Sequence, residues 1–258
     1  MVSDPGGQPV GADGDPDDRV ARLGRLIDDE LAVDGSPEGM RGRLQRLCAV
    51  LTRVLPASGA GVSLLTEGQL GGGTAAAWGP NSREIEELQF SLGEGPCIDA
   101  FTSRRPVLEP DLLGRGMRRW PGYAPAAHDF GVRAVFAIPL QVGAARLGAL
   151  DICREEVGSL SATALSQAVT FADLAVSLLL DGQDTTTGDG ETLTGVDDVL
   201  AYRAEVSQAQ GMVMVDLGVS LTEAMARLRG HAYAEGRLLS EVAHDVVAGT
   251  LKLDRDTP

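Results

Sequence analysis

The chain has 258 residues, of which 43% are hydrophobic and 4% aromatic, and a net charge of −15. That length suits one large or two modest domains, with apolar content ordinary for a soluble chain. No uninterrupted apolar run approaches the roughly 18 residues of a membrane span. The start, MVSDPGGQPVGADGDPDD, has neither the basic lead nor the apolar run of a secretory signal, so a cytoplasmic location and no membrane partner are expected.

The acidity is unevenly spread. Residues 1–18 hold five acids and no Lys or Arg, and 181–198 hold six acids and no base. Over 199–253, Glu205, Asp216, Glu223, Glu235, Glu241 and Asp245 nearly balance Arg203, Arg227, Arg229, Arg237 and Lys252. A nucleic-acid contact there must be a local patch, because phosphate binding leans on positive charge.

In chain order, residues 1–18 have the acidic Gly/Pro-rich composition of a disordered tail. Helices are expected over 19–33 and 37–55, the second with Leu44, Leu47, Leu51 and Val54 on one face and Pro56 closing it. GAGVSLL, TAAAWG, PVLEP, AVFAIPLQV and ARLGALDIC read as strands, rich in small and β-branched residues. Gly143-Ala144-Ala145 is a hairpin turn between the last two. A long helix over 162–180 is apolar beyond one stripe, through Leu165, Ala168, Phe171, Ala172, Leu174, Ala175, Leu178 and Leu179. Two readings fit it equally: a dimer interface, or a helix packed between the sheet and the N-terminal helices. Residues 182–195 have linker composition.

Three short amphipathic helices follow over 196–253. Val199, Tyr202, Val206, Ala209 and Val213 form the first stripe, and Gly218 stops that helix. Ser220-Leu221-Thr222-Glu223 is a capping box, with Leu221, Ala224, Met225, Leu228 and Ala232 as the buried face behind it. Gly236 ends this helix, and Leu239, Val242, Ala243, Val246 and Val247 make the third stripe. Such helices must pack on one another as a small module.

Two resemblances organise these elements. Residues 19–181 resemble a helical lead-in plus a GAF domain, an α+β sensor fold with an antiparallel sheet and flanking helices. The carrying residues are Leu92-Gly93-Glu94-Gly95-Pro96-Cys97, Arg105-Pro106-Val107, Pro110-Asp111-Leu112, Trp120-Pro121, Gly131-Val132-Arg133-Ala134, Ile138-Pro139-Leu140 and Leu147-Gly148-Ala149-Leu150. Residues 196–253 resemble the ANTAR domain, an all-α three-helix RNA-binding module of bacterial antiterminators. Ala209-Gln210-Gly211, Met212-Val213-Met214, Glu223-Ala224-Met225, Leu228-Arg229, Ala232-Tyr233, Arg237 and Val242-Ala243 carry that one, in order.

The second resemblance implies an RNA face. Arg227 and His231 share one flank of the middle helix, Arg229 and Tyr233 the other, and Arg237 follows in the loop. Arginine forks onto phosphate or a base edge, and an aromatic ring stacks an unpaired base. On an arbitrary helix the same residues are more often solvated arginines beside a half-buried ring. Gln210 stands where the family often has Lys; a lysine there would be expected to strengthen RNA binding.

Other chemistry is sparse. Cys97 lies in the loop-like middle of the GAF-like segment and is the weak candidate for ligand or thiol sensing; some GAF domains are thiol reductases. Cys48 and Cys153 are distant, and buried cysteines usually act as small hydrophobes. His128 beside Asp129 is a lone histidine, a surface residue more often than a ligand. Glu94, Asp99, Asp111 and Asp151 offer polar groups without a provable pairing. The glycines at 71–73 lack the Lys-Ser/Thr of a phosphate loop. No cofactor, metal or catalytic set is expected.

The expected protein is a non-enzymatic, signal-responsive antitermination regulator. Its GAF-like domain receives an unknown small ligand or cue, and its ANTAR-like domain, as a homodimer, binds stem-loop RNA. The alternatives are a sensor whose helical module docks a partner protein, and a GAF thiol enzyme.

Overall fold

The computed structural model describes residues 16–30, 39–65, 72–184 and 194–254, with side chains described over 18–30, 39–65, 73–181 and 204–254. Most of the 1–18 tail and of the 182–195 linker lies outside the described residues; Pro16 to Asp18 already belong to a helix.

The chain opens with α1 (Pro16–Asp28) and α2 (Gly39–Val54). Next come β1 (Gly59–Leu65), β2 (Gly72–Trp78), α3 (Ser82–Leu92), α4 (Pro96–Ser103) and β3 (Val107–Glu109). A π-helical turn (Leu112–Gly116) and the short α5 (Met117–Arg119) and α6 (Tyr123–Asp129) lead to the hairpin of β4 (Ala134–Val142) and β5 (Ala145–Arg154). The sheet is antiparallel, in the order β2-β1-β5-β4-β3. The long helix α7 (Ala162–Asp184) follows, then α8 (Thr194–Leu217), α9 (Leu221–Glu235) and α10 (Leu239–Val247).

The two-residue period of the strands divides the sheet. Val62, Phe136, Ile138, Leu150 and Ile152 turn to one face and pack with Leu44, Leu47 and Leu51 of α2 and Ala168, Phe171, Ala172 and Ala175 of α7. That packing uses most of the apolar surface of α7, the second of the two readings its sequence allows. By length and composition 162–181 is also apolar enough to cross a membrane, with mean hydropathy 1.5, yet half of the window is buried in the protein. The opposite sheet face, with Gly61, Ser63, Val135, Ala137, Ala149, Asp151 and Cys153, meets α3, α4 and α6.

The last three helices have a core of their own. Val206, Ala209, Val213 and Leu217 of α8 meet Ala224, Met225, Leu228 and Ala232 of α9 and Leu239, Val242, Ala243 and Val246 of α10. The side chains of Val199 and Tyr202 lie outside the described residues. Leu221, expected on the buried face, is 41% exposed, because it sits at the first helical position beyond the reach of that core. Ser220 Oγ accepts the Glu223 amide at 3.2 Å, one half of the capping box its sequence predicts, while the Glu223 carboxylate pairs with Arg227. The glycine stops also form: the Val219 amide reaches back to Met214 and the Arg237 amide to Ala232. This three-helix unit leans on the sensor: α8 lies against α2 and the edge strand β2, while α9 and α10 meet α3.

Candidate nucleic-acid interface and buried sensor cluster

The six residues expected on the RNA face divide into three groups. Tyr233 stands out to solvent, 71% exposed, and His231 is half-buried on the other flank of α9. Arg227 pairs with Glu223 one turn earlier at 3.1 Å, and Arg237 holds Asp245 at 2.7 Å and Glu241 at 3.7 Å. The Arg237 guanidinium holds the Asp245 carboxyl below its ordinary value. Both arginines are partly exposed and already paired with carboxylates, so a phosphate bound here must share or displace those partners.

Gln210 and Arg229 are placed differently. Gln210 is 5% exposed at the seam of α8 and α9, where its amide donates to the Leu221 carbonyl at 2.7 Å. A residue so placed holds two helices together. Arg229 turns toward the sensor, and its Nε donates to the Phe90 carbonyl at the end of α3, 3.1 Å away.

Inside the sensor lies a polar cluster that sequence reasoning did not assemble. Of its members, the sequence singles out Asp151 of β5 but not Ser63, Glu86, Gln89 or Tyr123. β1 pairs with β5 so that Gly61 sits opposite Asp151. Gly61 is required there, since a Cβ would fall 2.6 Å from the Glu86 side chain. Ser63 Oγ donates to Glu86 Oε2 at 2.7 Å, Gln89 Nε2 donates to Asp151 Oδ2 at 3.3 Å, and the Cys97 amide donates to Gln89 Oε1 at 2.8 Å. Glu86 and Asp151 also interact directly, and burial foremost pushes both carboxyls up, Asp151 strongly. Two fully buried carboxyls in contact share a proton rather than ionise together. The Tyr123 hydroxyl, wholly buried, has no hydrogen-bond partner among the described residues. A glycine at the strand position that itself faces a helix bearing Glu and Gln is the sequence sign of this cluster.

The remaining candidates have structural partners. Glu94 Oε1 accepts the amides of Gly122 and Tyr123 at 2.6 and 2.9 Å, at the start of α6. Asp99 Oδ2 accepts from Arg119 Nε at 2.6 Å and Trp120 Nε1 at 3.0 Å. Asp111 accepts the Gly114 amide at 3.2 Å. His128 sits half-buried on α6. Cys48, Cys97 and Cys153 are free and buried, and burial raises all three thiols above their ordinary value. Among the described residues no group of three or more His, Cys, Asp or Glu is arranged to hold a metal ion.

Comparison with known proteins follows this division. The GAF domain model matches residues 38–179 and the ANTAR domain model residues 196–247. Among solved structures, the GAF domain of a phosphoenolpyruvate-protein phosphotransferase from Coxiella burnetii is similar to 66% of this chain, over 95% of its own length, at 17% identity and TM-score 0.51. A GAF domain from the Acinetobacter phosphoenolpyruvate-protein phosphotransferase covers 66% of this chain and 96% of its own, at 13% identity and TM-score 0.48. Free methionine-R-sulfoxide reductase from Neisseria meningitidis covers 66% and 92%, at 15% identity and TM-score 0.47. No curated protein matches the chain. With a five-stranded sheet flanked by helices, then a three-helix unit, the chain belongs to the GAF domain family and carries an ANTAR domain behind it, the layout of a GAF–ANTAR regulator.

Proposed function

We propose that the protein is a signal-responsive, non-enzymatic transcription antitermination regulator whose ANTAR domain binds stem-loop RNA. The observation that carries this reading is the ANTAR match over 196–247, in which α9 bears Arg227, Arg229, His231 and the exposed Tyr233. An exposed ring beside arginines suits an unpaired loop base flanked by phosphates. The GAF domain is the sensor, and the buried cluster of Ser63, Glu86, Gln89, Tyr123 and Asp151 is its candidate ligand-responsive centre. Cys97 supports neither thiol catalysis nor thiol sensing, because a buried thiol with a raised pKa is a poor nucleophile.

A homodimer through the outer side of α7, where Val169 and Leu180 are 40% and 41% exposed, belongs to the same proposal. Sedimentation with and without RNA tests that part. A second reading, in which the helical module docks protein, draws support from the contact of Arg229 with Phe90.

The deciding experiment is crosslinking of RNA to the full chain in cells, sequencing of the bound fragments, and affinity measurement for the recovered stem-loops. Recovery of stem-loops that outcompete loop-scrambled controls supports the antiterminator reading. Equal affinity for scrambled RNA at every salt concentration rejects it.

A further inference from the structure

The C-terminal end of α3 meets the ANTAR domain at three points. Arg229 Nε donates to the Phe90 carbonyl at 3.1 Å. The same guanidinium covers Gly93, where a Cβ would come within 2.6 Å of Nη1. The Leu239 amide, at the start of α10, donates to Ser91 Oγ at 3.3 Å. Each contact answers a need of a helix end. Phe90 belongs to the last turn of α3, whose carbonyls lack partners within the helix, and Leu239 belongs to the first turn of α10, whose amides lack them. α3 has no basic residue of its own in its last turn, and Arg229 supplies the cation that the helix dipole favours there.

We infer that the end of α3 is an intramolecular receptor for the RNA-facing arginine, so that docking on the sensor and binding of RNA compete for Arg229. This rests on the RNA reading above. α3 has two working faces: Glu86 and Gln89 belong to the buried cluster, while Phe90, Ser91 and Gly93 hold the ANTAR domain. A cue that rearranges the cluster shifts the helix that holds Arg229. Beside this seam Glu87 of α3 pairs with Arg83 at 3.5 Å and Glu241 of α10 with Arg237 at 3.7 Å, so each carboxylate has an arginine partner of its own. Because the dock and RNA draw on the same guanidinium, the coupling between them is reciprocal.

The test uses the full chain. Gly93 has φ +70, a conformation that Asn tolerates better than other side chains, so Gly93→Asn displaces the guanidinium with little backbone strain. Gly143→Asn is the control, at φ +55 with no neighbouring atom within 4 Å of its Cβ. Ser91→Ala removes one acceptor and adds no atom. Two quantities are read: hydrogen exchange at the Leu239 amide without RNA, and affinity for a stem-loop recovered by the crosslinking above.

Gly93→Asn and Ser91→Ala are expected to speed Leu239 exchange and tighten RNA binding by roughly three- to tenfold, as the binding-competent fraction rises. Gly143→Asn leaves both unchanged, and RNA added to the wild type speeds the same exchange. Unchanged exchange in both dock variants overturns the dock itself. Faster exchange with unchanged affinity overturns the competition while leaving RNA binding intact. Faster exchange with no preference for the stem-loop in any variant rejects the RNA reading and the competition with it.

Discussion

Arg229 and Phe90 are 139 positions apart, yet the Arg229 guanidinium closes on the Phe90 carbonyl at 3.1 Å. The bond joins the helix richest in candidate RNA contacts to the helix that lines the sensor's buried acids. If RNA competes with Phe90 for this guanidinium, as inferred above, the effect of removing Arg229 depends on which partner it has left.

Arg229→Ala is expected to lower stem-loop affinity less in the wild-type background than in Gly93→Asn. In the wild type the substitution removes an RNA contact and also releases the dock. In Gly93→Asn the dock is already open, so the full loss of a charge-assisted contact appears, about 1–3 kcal/mol. A double-mutant cycle on RNA affinity measures the difference, and strict additivity would mean that Arg229 has one partner only.

The paired acids set a pH dependence of stability. Burial raises Glu86 and Asp151 above their ordinary 4.5 and 3.8. A carboxyl raised in the folded state binds its proton more tightly there than in the unfolded chain. Its stabilising contribution is complete below the ordinary value and is lost as pH climbs through the raised one. Melting temperature should therefore fall as pH climbs from the ordinary carboxyl range through the raised values of the pair. Glu86→Gln keeps an acceptor for Ser63, removes one titrating group and should flatten that slope. Glu86→Ala leaves Ser63 and Asp151 without their partner and should cost about 1–3 kcal/mol at any pH. An unchanged slope in Glu86→Gln would mean that the pair does not titrate with folding.

The thiols should be inert in the folded protein. Cys97 is wholly buried and its amide is engaged by Gln89, while Asp151 and Glu86 add negative charge that opposes thiolate formation after burial itself. Labelling by a neutral thiol reagent is expected to run on the order of a hundredfold slower than for an exposed thiol and to accelerate only on unfolding. Rapid native labelling of Cys97 would restore the thiol-sensor reading.

Much of the fold could be read from local pattern, and little of the chemistry. The β4–β5 hairpin is written in runs of small and β-branched residues on either side of Gly143, and the bounds of α9 in Ser220 and Gly236, because caps and turns are short-range devices. The apolar excess of α7 was visible but not its purpose, since Phe171 and Ala175 look the same facing a partner chain or the sheet. Glu86 and Asp151 look like ordinary acids until strand register brings a helix and β5 together across Gly61. The Arg229 site is a backbone carbonyl and a glycine, and neither has a side-chain signature.

Gln210 separates the two levels of reading most sharply. From sequence, a lysine there adds positive charge to an RNA face and should tighten binding with a steeper salt dependence. In the structure the side chain is 5% exposed and its amide donates to the Leu221 carbonyl at 2.7 Å, where α9 begins. A lysine is longer, keeps a donor, and must either desolvate its ammonium at the seam or push outward past α9. Gln210→Lys is therefore expected to destabilise the ANTAR domain by about 1–3 kcal/mol. RNA affinity should not improve once the unfolded fraction is accounted for. Helicity and melting of the full chain, beside a salt series of stem-loop affinity, decide the matter. Unchanged melting together with a steeper salt slope would put position 210 back on the RNA face, with the lysine reaching solvent where the glutamine does not.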